Sequence, residues 1–394
     1  MTTPQTHGLD GTLVPPDWPA LTLAELDALL ANFPAHAGPI QILSRSPRPF
    51  SAASVVSTPA GRIFVKRHHR TVRDREALLE EHRFLTHLHA KGAPVPRILA
   101  DRSGQTAFQL GDSTYELHEA PSATDLYGQA VSWTPFRTAA HARSAGQALA
   151  RLHLASQGFN APARQPRPLV ASFSIFAAPD PYAAMERYLA ARPALAASPA
   201  VRVAAKLAVQ LLLPFHAQLQ PLLSDLAPLW THNDFHASNL LWTGSAADAR
   251  AACIIDFGLA DRTNAVHDIA HAIERNIVEW LALVRHPNLP NEVPVHLNHL
   301  HALLDGYESI RPLTAAEAAA LVPMTALCHA EFALSEADYF LGILHSPAQA
   351  RMAWDGYLLG HARWFRSAGS HRLLEALRAW AGSRQGASQK VGSR

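Results

Sequence analysis

The chain of 394 residues is long enough for two packed subdomains. With 48% hydrophobic and 17% charged residues it can bury a core, which excludes a disordered chain. Its 34 Lys and Arg balance 32 Asp and Glu, so it lacks the basic excess that marks a nucleic-acid binder. Residues 1–20, polar and proline-containing, read as a flexible arm without the pattern of a signal peptide. Leu21, Leu23, Leu26, Leu29 and Leu30 recur near helical spacing behind a Thr22 cap and predict a helix to Phe33. Val55 to Lys66 reads as a hairpin turning at Pro59-Ala60-Gly61. Arg73 to Lys91 is a helix stopped by Gly92, with Pro94 and Pro96 beyond. Strand-like pieces then run to Tyr115-Glu116-Leu117-His118-Glu119. From about Ala139 the chain is alanine- and leucine-rich with helical periodicity, broken by a strand pair near Leu240–Trp242 and Cys253–Asp256. Residues 382–394, rich in Gly, Ser, Gln and Lys, read as a disordered tail. Strands first and helices afterwards predict an α+β fold, with a sheet lobe over 21–118 and a helical lobe over 119–381.

The residues with the clearest chemistry are Thr231-His232-Asn233-Asp234-Phe235-His236-Ala237-Ser238-Asn239, followed by Ile254-Ile255-Asp256-Phe257-Gly258. Phosphoryl transfer needs a group that orients a nucleophile and cations that neutralise phosphate charge. One carboxylate near an acceptor can orient its hydroxyl and take its proton. A second carboxylate and an amide oxygen can hold Mg²⁺, a hard cation that prefers oxygen ligands. Asp234, Asp256 and Asn239 fit those three tasks. The metal is required as well, since like charges ~4 Å apart repel by roughly 4 kcal/mol at an effective dielectric of 20. The same stretch admits another reading, a metal-dependent hydrolase built on His232, Asp234 and His236. Asp268 reads as a loop-bracing carboxylate, and His232 as a packed, hydrogen-bonded histidine.

His232-x-Asp234-x-x-x-x-Asn239 followed by Ile255-Asp256-Phe257-Gly258 resembles the catalytic and metal loops of the aminoglycoside phosphotransferase and choline kinase family. The resemblance runs from about Ile40 to about Phe365 and implies a bilobal, protein-kinase-like fold. It implies Asp234 as base, Asn239 and Asp256 as Mg²⁺ ligands, and ATP as donor, with GTP left open. Lys66, ending a predicted strand, stands where the family carries its phosphate-binding lysine. The following helix offers Glu80 and Glu81 as its partner. Glu81 shares a stripe with Leu78, Leu85 and Leu88, whereas Glu80 sits ~100° away, so a Lys66–Glu81 pair is expected. Backbone groups of His118 and Ala120 stand where the family contacts adenine. Two departures from the family pattern stand out. The loop near Leu43 to Ser54 lacks glycine, leaving serines or arginines to meet phosphate, and Asn233 stands where glycine is common.

The acceptor is less legible. Residues 268–360 hold eleven acids against four arginines, which suits an amine-bearing acceptor. Glu331, Ser335 and Asp338 share one helical face and are the expected acceptor contacts. The partners called for are thus a nucleotide and a small hydroxyl compound, with neither nucleic acid nor membrane. A nucleotide-binding regulator without activity is the competing class, although a pure binder has no need of Asp234. Cys253 and Cys328 lie far apart without metal-ligand spacing and read as buried thiols. No run approaches the ~18 uninterrupted apolar residues of a membrane helix, and the expected compartment is the cytoplasm.

Overall fold

Alternating apolar residues build the first third of the chain as paired strands in the computed structural model, which describes residues 16–244, 247–285 and 290–391. Helix α1 (Leu23–Leu30) opens with a reciprocal Thr22/Glu25 cap and buries Leu26, Leu29 and Leu30. Strands β1 (Gln41–Arg45), β2 (Ala52–Thr58), β3 (Gly61–His69), β4 (Ala107–Leu110) and β5 (Ser113–Glu119) form one antiparallel sheet in the order β1-β2-β3-β5-β4. The β2–β3 hairpin closes at Thr58↔Gly61, where Gly61 takes φ +121°, a conformation closed to most side chains. Val56, Ile63, Val65 and Leu117 pack with α1 on one face. The other face carries Lys66, opposite Glu116, and lies under α2 (Arg75–Ala90), whose His82 reaches Glu116 at 3.0 Å. Asp74 caps α2, accepting from the Ala77 amide at 2.8 Å, and Gly92 follows its last turn at φ +75°.

The second lobe is helical. Its principal helices are α3 (Ala139–Ser156), α4 (Pro199–Leu219), α5 (Ala265–Ile277), α6 (Leu297–Glu308), α7 (Ala315–Leu327), α8 (His329–Gly342) and α9 (His371–Val391). Helices α3 and α6 approach unusually closely because each offers a glycine to the other's backbone. A Cβ on Gly146 would lie 2.0 Å from the Leu303 carbonyl oxygen, and one on Gly306 would lie 2.1 Å from that of Arg143. Two small ribbons carry the loops between the lobes: β6 (Pro228–Thr231) pairs β9 (Asp261–Asn264), and β7 (Leu240–Thr243) pairs β8 (Arg250–Ile254).

Two expectations, both at the chain ends, need revision. Residues 1–15 of the arm lie outside the described residues, but 16–20 are docked rather than loose. The Asp17 amide donates to Pro49 O at 3.0 Å, and Trp18 stacks on His69 and donates from Nε1 to Tyr339 Oη at 3.1 Å. An amphipathic indole at the junction of two apolar cores gains more by burial than chain freedom opposes. The tail does not fray at Gly382, because α9 continues to Val391; residues 392–394 lie outside the described residues. Arg384 secures that stretch by stacking 3.9 Å over Trp380 and bonding Glu308 at 2.5 Å, enough to offset a glycine cost of about 1 kcal/mol. Two helical runs, each interrupted by polar residues, are on average long and apolar enough to cross a membrane, Pro199–Asp225 and Ala315–Gly342. Within them, 44% and 94% respectively of the most apolar stretch is buried inside the protein, so the apolarity of α7 and α8 serves the lobe's own interior.

Candidate active site

The loop after β6 is held by a single carboxylate. Asp268, in the first turn of α5 and with no solvent exposure, accepts from the amides of His232 and Asn233, both at 2.9 Å. His153 Nε2 of α3 lies 3.0 Å from it as well. Burial works to raise the Asp268 pKa, but the His153 bond and charge and the loop's own groups outweigh it, leaving it at about 2. Asn233 takes φ +60°, which explains why glycine suits this position and why asparagine is tolerated. Its side chain also knits the loop, with Oδ1 accepting from Thr231 Oγ1 at 2.7 Å and Nδ2 donating to Leu259 O at 3.2 Å.

This bracing presents Asp234 to the cleft between the lobes. Its Oδ1 accepts from Arg275 Nη2 at 3.0 Å, and its Oδ2 from Asn239 Nδ2 at 3.1 Å. His236 Nε2 stands 3.5 Å from Oδ2. Burial would raise the pKa of Asp234; the charges of His236 and Arg275 prevail and hold it well below the ordinary carboxylate value. Asp256, at the turn after β8, takes φ +65° and ψ +71°, a strained conformation that aims its carboxylate at the sheet lobe. There Oδ1 accepts from Lys66 Nζ at 2.8 Å. Low hydration works to raise the pKa of Asp256, and the Lys66 ammonium reverses this, so it stays ionised. Lys66 is moved upward in turn: burial opposes its charge and Asp256 more than compensates.

Lys66, Asp234, Asn239 and Asp256 line one cleft of about 1040 Å³, mouth included. The amide nitrogen of Asn239 is spent on Asp234, which leaves its Oδ1 as the atom offered to the cleft. Together with Asp256 this is an oxygen donor set of the kind that suits magnesium, which usually takes one or two protein oxygens and completes its shell with water and phosphate.

Other expected contacts are not formed. Glu81 does not pair with Lys66. Its Oε1 accepts from Arg73 Nε and from Arg164 Nη2, both at 2.9 Å, while Glu80 meets Arg164 at 3.3 Å. Two guanidinium forks offer more directed donors than one ammonium. Both arginines also donate to the Gly258 carbonyl, at 2.7 and 2.9 Å, so Glu81 braces the Asp256 loop instead of the lysine. The Ala120 amide is occupied by Arg62 O at 3.2 Å, and His118 is paired within the sheet opposite Phe64; neither lines the cleft. Glu331 faces away, accepting from the Ile175 amide at 2.7 Å and from Ser174. Ser335 bonds Phe332 O at 2.7 Å, and Asp338 lies 3.8 Å from Arg192. The hydrolase cluster is not assembled either. His232 Nε2 is turned to Ile255 O at 2.9 Å, and no set of three His, Cys, Asp or Glu among the described residues could hold a metal.

In their place the cleft receives Phe332 and Glu336 from α8, Arg275 from α5, Trp133, and Arg48 from the glycine-free loop. Arg275 lies between Trp133 and Phe332, at 4.0 and 4.6 Å from the ring centres. Burial pushes the Glu336 carboxyl up to about 8, against the pull of Arg275. Arg275 shares its helix face with His271 and Asp268, so nothing local in the sequence marked it as a cleft residue.

No curated protein matches the chain. Among solved structures, a microcompartment-associated aminopropanol kinase is 17% identical with a TM-score of 0.54, covering 88% of this chain and 99% of that one. An amicoumacin kinase solved with AMP-PNP and Ca²⁺ is 14% identical with a TM-score of 0.53, covering 87% and 96%. An aminoglycoside phosphotransferase from Alicyclobacillus acidocaldarius is 17% identical with a TM-score of 0.48, covering 90% and 96%. The first two establish the bilobal, protein-kinase-like fold. Residues 49–313 match the family model described as the phosphotransferase enzyme family, a span that takes in β2 to β5 and both loops of the cleft. The chain belongs to the phosphotransferase enzyme family.

Proposed function

We propose that the protein transfers the γ-phosphate of ATP to a hydroxyl of a small, amine-bearing acceptor. The observation that carries this reading is the meeting of Lys66, Asp234, Asn239 and Asp256 in one cleft. In the step envisaged, the acceptor oxygen bonds to the γ-phosphorus while the bond to the β–γ bridging oxygen breaks, and ADP leaves with the electron pair. The hydroxyl proton passes to Asp234. A base held strongly ionised serves here by orienting the hydroxyl, since the loose transition state demands little proton transfer early on. Lys66 neutralises phosphate charge. Asn239 and Asp256 would hold Mg²⁺, which when bound offsets the charge of the phosphates. ATP use and two buried thiols suit the cytoplasm.

Glu336 takes over the acceptor role expected of Glu331, Ser335 and Asp338. Protonated at neutral pH, it would ionise beside an ammonium and form a charge-assisted bond. A coupled assay over amino alcohols, aminosugars, neutral sugars and hydroxy acids tests this. Amine acceptors should lead, and Glu336→Gln should raise their KM roughly tenfold without moving the nucleotide KM. A preference for hydroxy acids in the wild type would overturn the amine assignment. The metal assignment has its own test. Asp256→Ala should abolish the magnesium dependence of nucleotide binding, read by calorimetry with and without Mg²⁺. Unchanged binding would remove Asp256 as a ligand.

A further inference from the structure

The loop between β1 and β2 reads Ser46-Pro47-Arg48-Pro49-Phe50-Ser51. Without glycine, and with two prolines lacking N–H groups, its backbone has little to offer a phosphate. The side chain between those prolines does. Arg48 lines the cleft and is tethered across it, Nη1 donating to Ala130 O at 3.1 Å and to Ser132 Oγ at 3.3 Å. Its Nη2 is buried and has no hydrogen-bond partner. A buried donor left unpaired costs about 1–3 kcal/mol, so its persistence calls for a ligand.

The charges that line the cleft single out the same side chain. Lys66 is neutralised by Asp256, and Arg275 by Asp234. Arg48 alone of these three cations has no carboxylate within ion-pair distance among the described residues, although the fields of Asp125, Asp256 and Asp234 all reach it. It is the uncommitted positive charge of the site. The fixed φ of the flanking prolines and the double tether of Nη1 hold the guanidinium in place, so little further ordering is needed to use it.

We propose that Arg48 is the phosphate clamp of this enzyme, its free Nη2 donating to non-bridging oxygens of the γ-phosphate in place of the backbone amides of a glycine-rich loop. This rests on the kinase reading above. Arg48 neither gains nor loses a proton; it bonds oxygens whose negative charge is carried through the transfer, while the acceptor proton still goes to Asp234. A contact to the γ-phosphate has a consequence that a mere clasp between lobes lacks: it distinguishes a nucleoside triphosphate from a diphosphate.

The test is calorimetric titration of wild type, Arg48→Met and Arg48→Lys with Mg·ADP and Mg·AMP-PNP, beside the melting temperature without nucleotide. Arg48→Met should weaken AMP-PNP about 10–100-fold and leave ADP within about threefold, matching the loss of a hydrogen bond to a charged group. Arg48→Lys, which keeps the charge and loses the fork, should fall between. Turnover at saturating nucleotide should drop at least about tenfold in Arg48→Met, since the bond persists in the transition state. Equal weakening of both nucleotides, or of neither, overturns the assignment while leaving the kinase reading intact. A wild type that binds neither nucleotide overturns both. Should Arg48→Met not fold, Arg48→Lys alone decides by the same comparison of ADP with AMP-PNP.

Discussion

Asp234→Asn is expected to cut phosphoryl transfer at least ~100-fold while magnesium-nucleotide affinity stays within about threefold of wild type. The shape is conserved, but the chemistry is not. An amide cannot accept the acceptor's proton, and its NH₂ must face either Arg275 or Asn239, both of which now donate to the carboxylate. Arg275 is buried between Trp133 and Phe332, so loss of its counter-ion also costs stability, of the order of 1–3 kcal/mol. Single-turnover assays read the first effect, calorimetry the second and thermal melting the third. Wild-type turnover in the variant would dismiss Asp234 from the chemistry, whereas nucleotide binding without turnover in the wild type would revive a regulatory, non-catalytic role.

Asp268→Ala should be the most destabilising single change in the site, at about 3–5 kcal/mol. It leaves the amides of His232 and Asn233 without an acceptor in a site closed to water. It also strips a hydrogen-bond partner from His153, whose other nitrogen is held by Tyr307 Oη at 2.7 Å. The pH dependence follows from the sign of the shift. A carboxylate at about 2 in the folded protein, against ~3.9 unfolded, contributes stability that is complete above its unfolded pKa. That contribution is lost as pH falls from about 4 towards 2. Wild type should therefore show an acid-dependent loss of melting temperature in this window that Asp268→Ala lacks. A variant melting within a degree of wild type would mean that the loop is braced by other groups.

The amino-acid sequence alone determined the order of sheet and helices and the two loops, and it singled out Lys66, Asp234, Asn239 and Asp256, which the fold brings to one cleft. Each of these is read from a contiguous segment. A turn or a five-residue spacing fixes local geometry before any distant contact forms, and Gly92, Thr22 and Asp74 punctuate the elements in the same local way; Lys66, expected at a strand end, lies inside β3, which pairs on to His69.

What the tertiary structure decided was the choice of partner. The periodicity of α2 placed Glu81 on a buried face correctly, yet nothing local announced that Arg164, 83 positions away, would arrive there with Arg73. The acceptor face failed for a related reason. Every residue of α8 from His329 to Phe340 is buried, so no stripe distinguishes the face toward the cleft from the face toward Ser174 and Arg192. Shared spacing put Glu331, Ser335 and Asp338 together and could not say which way they point. Packing selected Phe332 and Glu336 instead. An amphipathic pattern records that a side chain leaves water. Which neighbour then meets its charge depends on chain segments whose approach is set only by the assembled lobes.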